Sequence, residues 1–107
     1  MATKKLSHVH PGQILREEFM EPVGITAQAL AKALHVLVSK VHEIVRDRRA
    51  ISPELAVLLS TYFGTSDEYW IKLQSHYDLR IAKDRFSKKI ARIQPHPHDE
   101  NGVLRPI

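Results

Sequence analysis

The sequence predicts an all-α domain of five helices followed by a polar tail, on three grounds. Apolar residues recur at spacings of three and four between the breakers Pro11-Gly12, Pro22 to Gly24, Ser52-Pro53 and Gly64. No stretch alternates apolar and polar residues for long enough to read as a strand. The 107 residues, 43% hydrophobic and 26% charged, suit one soluble core and exclude collagen-like or wholly disordered chains.

The first helix is expected over residues 11–20, with Pro11 in its first turn, Ile14, Leu15 and Phe19 inward, and Arg16, Glu17 and Glu21 outward. Thr26 caps the second, where Ala27, Leu30, Ala31 and Leu34 form a stripe that leaves Gln28 and Lys32 outside. After a break at His35-Val36, the third helix turns Leu37, Val41, Ile44 and Val45 inward and stops in the charged loop Arg46-Asp47-Arg48-Arg49. Ser52 caps the fourth, with Pro53 and Glu54 in its first turn, Leu55, Leu58, Leu59 and Tyr62 as its stripe, and Gly64 at its end. Ser66, with Asp67 and Glu68 after it, opens the fifth, whose apolar face is Trp70, Leu73, Tyr77 and Ile81.

From Lys83 to Arg92 the pattern weakens, and five basic residues face Asp84 alone, a balance equal to the net +4 of the whole chain. Beyond Gln94 the residues Pro95, Pro97, Gly102 and Pro106 read as an extended tail. The chain is thus divided into an N-terminal arm (1–9), a helical domain (10–82) and a basic extension with tail (83–107).

Several function classes fall away. With no cysteine there is no disulfide staple, thiolate metal site or cysteine nucleophile. No window reaches the roughly 18 apolar residues of a membrane span, and a cytoplasmic protein without membrane contact is expected. The close histidine pairs His8 with His10, and His96 with His98 beside Asp99, match no zinc spacing. Glu17 with Glu18, and Asp67 with Glu68, are adjacent along helices and diverge, so they form no acid/base pair. Neither cofactor nor metal is expected, and the chain is not expected to be an enzyme.

Two short helices joined by a tight turn, the second exposing polar side chains, form the pattern that sets a helix into the major groove. On a helical wheel the third helix exposes Ser39, His42, Glu43 and Arg46, with Val38 and Lys40 on the flanks. Ser39, Lys40 and His42 can donate to bases or phosphate, Glu43 can accept from a cytosine amino group, and Val38 can meet a thymine methyl. A solvated face gives the same wheel. Arg46, Arg48 and Arg49 suit phosphates just beyond that helix, and Thr26 and Gln28 stand at the positive end of the second.

These residues also carry a resemblance. The run His10-Pro11-Gly12-Gln13-Ile14-Leu15-Arg16-Glu17-Glu18-Phe19, then Glu21-Pro22 and Gly24-Ile25-Thr26, resembles the opening of the HigA (VapI) branch of the Xre/Cro-type regulators. Gln28 to Ala31, Val41 to Val45, Arg49 to Ser52, Tyr62 to Ser66, Tyr69-Trp70 and Lys72 to Gln74 resemble the rest of that domain, over about residues 8 to 82. The resemblance implies a five-helix Cro/lambda-repressor-like fold and a homodimer that binds double-stranded operator DNA. It also implies an antitoxin role against a HigB-like mRNA endonuclease toxin. Two positions depart from the family pattern. His35 stands where glycine is common in the turn, so strain is expected there, and Leu37-Val38 stand where polar residues or proline are common.

The N-terminal arm and the acidic surface of Glu17, Glu18 and Glu21 are the expected toxin side, since a toxin that binds RNA is itself basic and the segment after Lys83 repels it. Trp70 and Tyr77 fit core anchors by their spacing, yet with Tyr69 they supply more apolar surface than a small core needs, which makes these three the candidate dimer interface. A stand-alone regulator without toxin is the alternative, separated by a neighbouring toxin gene. A small toxin nuclease, of mixed α and β structure, is the enzyme alternative.

Overall fold

A computed structural model describes residues 9–107, so of the arm assigned to 1–9 all but Val9, His8 included, lies outside the described residues. Six helices follow in order: α1 (residues 11–23), α2 (Ala27–Leu34), α3 (Val38–Val45), α4 (Pro53–Phe63), α5 (Asp67–Arg85) and α6 (Ser87–Arg92). The described residues contain no strand, only an isolated antiparallel bridge between His98 and Leu104.

Four of the expected starts rest on local side-chain acceptors. The Nδ1 of His10 accepts from the Gly12 amide at 2.8 Å, and Thr26, Ser52 and Ser66 accept from the amides of Ala29, Leu55 and Tyr69. Each satisfies a first-turn N–H that has no partner within its helix. Gly24 and Gly64, at φ 74 and 77, end α1 and α4 in the left-handed conformation that glycine adopts without Cβ strain.

The first helix corrects the expected break at Pro22, for it runs through the proline to Val23. Proline lacks the N–H for its own turn, and its ring crowds the carbonyl four residues back, that of Glu18. The helix widens into a π turn over Leu15–Met20, in which the Glu21 amide reaches five residues back to the Arg16 carbonyl. That widening moves the crowded carbonyl away and lets the helix continue.

The core is built by Leu15, Leu30, Ala31, Leu34, Val41, Ile44, Ile51, Leu55, Leu59 and Trp70. Trp70 is its largest member, fully buried, with its indole N–H on the Thr65 hydroxyl at 2.8 Å. The rings of Phe19 and Phe63 pack on it at 4.8 and 6.5 Å. Burial of Trp70 corrects its candidacy as dimer surface, and Tyr77 is half-buried against the His10 ring. On α4, Ala56 and Ser60 turn inward and Tyr62 outward, so that stripe is rotated from the expected one.

The fifth helix outlasts the sequence estimate, and Phe86, at φ −103 and ψ 17, separates it from α6. The end is folded rather than extended. Asp99 accepts the amides of Asn101 and Val103 and turns the chain back on itself, with the Arg105 amide on the Pro97 carbonyl.

Candidate nucleic-acid interface

α2 and α3 pack on each other through a turn centred on His35, at φ 59 and ψ 43, where its amide reaches back to the Ala31 and Lys32 carbonyls. This left-handed conformation is the strain expected of a side chain at that place. Thr26 and Gln28 are exposed at the start of α2, with the Thr26 oxygen already occupied as cap.

Along α3, Val41 and Ile44 enter the core, and the outward side carries Val38 and Ser39, then half-buried His42 and Glu43, then Arg46; Lys40 is half-buried on the flank. Leu37 is corrected: it is the N-cap, 69% exposed, and the core takes Val36 instead. An N-cap residue keeps extended φ and ψ, here −67 and 137, so a helical wheel drawn through it assigns the wrong face.

Glu43 does not stand free to read a base. Its Oε1 accepts from Arg49 Nε at 2.8 Å and from the Arg49 terminal nitrogen at 2.6 Å, which fixes the guanidinium beside the end of α3. Arg46 and Arg48 are exposed on the same loop, and left-handed Asp47 at φ 61 lets the Arg48 amide return to the Glu43 carbonyl.

Three contacts fix this face, and none was assigned that role by sequence reasoning. Gly12 is buried where α1 crosses α3, and a Cβ there would sit 1.8 Å from the Ile44 carbonyl oxygen, so only glycine permits the approach. Arg16, expected outside, is half-buried and donates to the Val45 carbonyl at the end of α3. Buried Gln74 on α5 accepts the Ile51 amide at 2.7 Å and donates to Asp78 at 2.9 Å, pinning the arginine loop to α5. The signal for Gln74 was a polar residue four positions after Trp70 on an apolar face.

His10 closes the same corner, with Nδ1 at 3.5 Å from Asp47. Burial lowers its pKa below the usual histidine value, against the opposing pull of Asp47 and Asp78. With Nδ1 accepting from Gly12, the neutral ring carries its proton on Nε2, and the approach of Asp47 is not an ion pair in that state.

Elsewhere, Glu18 and Glu21 are exposed on α1, whereas Glu17 is engaged by Arg16 at 3.4 Å and by Gln13 at 3.3 Å. Tyr69 is 37% exposed, and its pKa is raised by burial first and by nearby Glu18 second. No group of histidine and carboxylate side chains among the described residues has metal-holding geometry, and no helix there is long and apolar enough to cross a membrane.

The helix-turn-helix family profile matches residues 17–70. Virulence-associated protein I of Dichelobacter nodosus is 49% identical over 75 residues, covering 70% of this chain and 69% of that protein. Antitoxin HigA-1 of Vibrio cholerae is 30% identical over 95 residues, 89% of this chain and 90% of that one. Among solved structures, the Pseudomonas aeruginosa antitoxin HigA with the higBA promoter superposes with a TM-score of 0.80 at 44% identity, covering 82% of this chain and 97% of that one.

Proposed function

The chain belongs to the helix-turn-helix family, in the branch of HigA antitoxins and virulence-associated protein I, a family of DNA-binding regulators and not of enzymes; from that premise we propose that it is a dimeric antitoxin and autorepressor acting in the cytoplasm. The observation that carries the DNA reading is α3 itself. It presents Ser39, His42 and Arg46 outward beside Arg48 and the oriented Arg49, while Gly12 and Arg16 hold its C-terminal end from behind and Gln74 holds the loop after it at Ile51. Ser39, Lys40 and His42 would contact base edges, and Arg46, Arg48, Arg49, Thr26 and Gln28 the phosphates. Glu43 acts by aiming Arg49.

One such helix makes few contacts, and two copies reading half-sites roughly 34 Å apart give the selectivity of a dimer. Surface for that pairing lies beyond Trp70. Leu79, Phe86, Ile90 and Ile93 are exposed there and supply apolar surface for it.

The toxin side is assigned to Glu18 and Glu21, with Glu17 tied into the same acidic surface, for a basic HigB-like endonuclease. The test has two arms. The protein should prefer its own promoter to random duplex at physiological salt, and equal binding overturns the reading. Co-expression should rescue cells that make the neighbouring toxin; repression without rescue leaves a stand-alone regulator.

A further inference from the structure

The helices α1, α2, α4 and α5 each begin on a side chain that accepts a first-turn amide, namely His10, Thr26, Ser52 and Ser66. α3 begins on Leu37 and has no such bond. A hydroxyl or carboxamide cap at that place stabilises a helix by about 1 kcal/mol, so this leucine does not serve the stability of α3. Nor does it serve the core, since 69% of its surface is open and the neighbouring Val38 is 39% open. Two adjacent apolar side chains therefore lead a face that continues with Ser39, His42 and Arg46.

Water is a poor neighbour for that pair, and so is a phosphate. In the major groove the base edges offer hydrogen-bonding groups and one apolar group, the C5 methyl of thymine. We infer that Leu37 and Val38 read thymine methyls at neighbouring steps of the operator half-site, an inference that rests on the duplex-binding reading proposed above. Leu37, standing ahead of the helix and extended, reaches the outer step; Val38, in the first turn, reaches the inner one. Polar residues on the same face then fix the remaining bases, and the arginines after α3 hold the backbone without regard to sequence.

The test starts from duplexes that the full chain enriches from a random-sequence pool. The enriched duplex is remade with deoxyuridine in place of thymine at one position at a time, which removes the methyl and leaves the pairing unchanged. Binding is measured for the natural chain, Leu37→Ala and Val38→Ala at fixed salt. Loss of one buried methyl contact corresponds to about a fourfold weakening. The natural chain is expected to show it at two neighbouring half-site positions, Leu37→Ala to lose it at one and Val38→Ala at the other, with the salt dependence of binding unchanged for both. Equal binding of thymine and uracil duplexes by the natural chain overturns the inference, as does a Leu37→Ala protein that still tells them apart at every position. A pool that yields no enriched sequence overturns the duplex-binding reading itself, and this inference with it.

Discussion

From His10 to Gln74 the chain buries side chains from every helix it contains, whereas from Ser75 to Ile107 no residue is buried, although that stretch carries Leu79, Phe86, Ile90, Ile93, Val103 and Leu104. Apolar content does not separate the two regions. In the first, five helices converge, and each stripe meets another. In the second, Tyr77 reaches back to the His10 ring, while the end of α5, the short α6 and the folded tail add no buried side chain, and the molecule reaches 56 Å in its longest dimension against 30 and 25 Å in the others. The packing that stabilises the fold therefore lies in the first region, and the apolar residues of the second stay exposed.

The largest test of that contrast is Trp70→Ala, which should cost about 3–5 kcal/mol in urea unfolding, since the ring fills the centre of the first region. A loss below 1 kcal/mol would show that the core does not depend on it. Gly12→Ala comes next, at about 1–3 kcal/mol, because the new methyl collides with the Ile44 backbone and pushes α1 off α3. Its effect on promoter binding should exceed that of an equally destabilising change in α4, which touches α3 less directly.

A third test uses pH. The pKa of His10 is lower in the fold than in the unfolded chain, so the unfolded chain takes up the proton first. Its contribution is complete above about pH 6.5, the usual histidine value, and declines as the pH falls below that. His10→Asn keeps an acceptor for the Gly12 amide and should flatten the decline in thermal melts between pH 7 and pH 5. An unchanged slope would assign it to other groups.

Phe86→Ala, in the second region, should alter the folding stability of dilute protein by no more than about 0.5 kcal/mol. It should nonetheless weaken self-association in sedimentation experiments. Because Arg80, Lys83, Arg85, Lys88, Lys89 and Arg92 flank these exposed apolar residues, added salt should strengthen that association while it weakens DNA binding. Association indifferent to Phe86→Ala would move the dimer seam elsewhere.

Where a decision was local, the residues themselves revealed it. Thr26, Ser52 and Ser66 announce helix starts, and Gly24 and Gly64 announce ends, because the bond or dihedral involved lies within a few residues. The outward side of α3 was equally legible at Ser39, His42 and Arg46, from the period alone. Leu37 was misplaced because the period does not extend to a residue outside the helix. Pro22 misled for a different reason, since a helix can absorb a proline by widening one turn, and nothing in the spacing announces it. The fold of the tail was signalled by Asn101-Gly102, a turn pair lost among prolines. Gly12, Arg16 and Gln74 act across the fold, and long-range partners leave no trace in local spacing.

Gln74 has a consequence for the operator rather than for the protein. One amide joins the loop that ends at Ile51 to the helix that continues into the exposed seam, so in a dimer built on that seam each reading head is bolted to the spindle that sets its distance from the other. Such a pair behaves as a caliper with one setting. A single base pair inserted between half-sites turns one of them by roughly 35° about the duplex, from the 10–10.5 base pairs of a helical turn. On the dimer proposed above, an operator lengthened by one pair is therefore expected to lose the second grip, and one lengthened by a whole turn to be held by one head at a time.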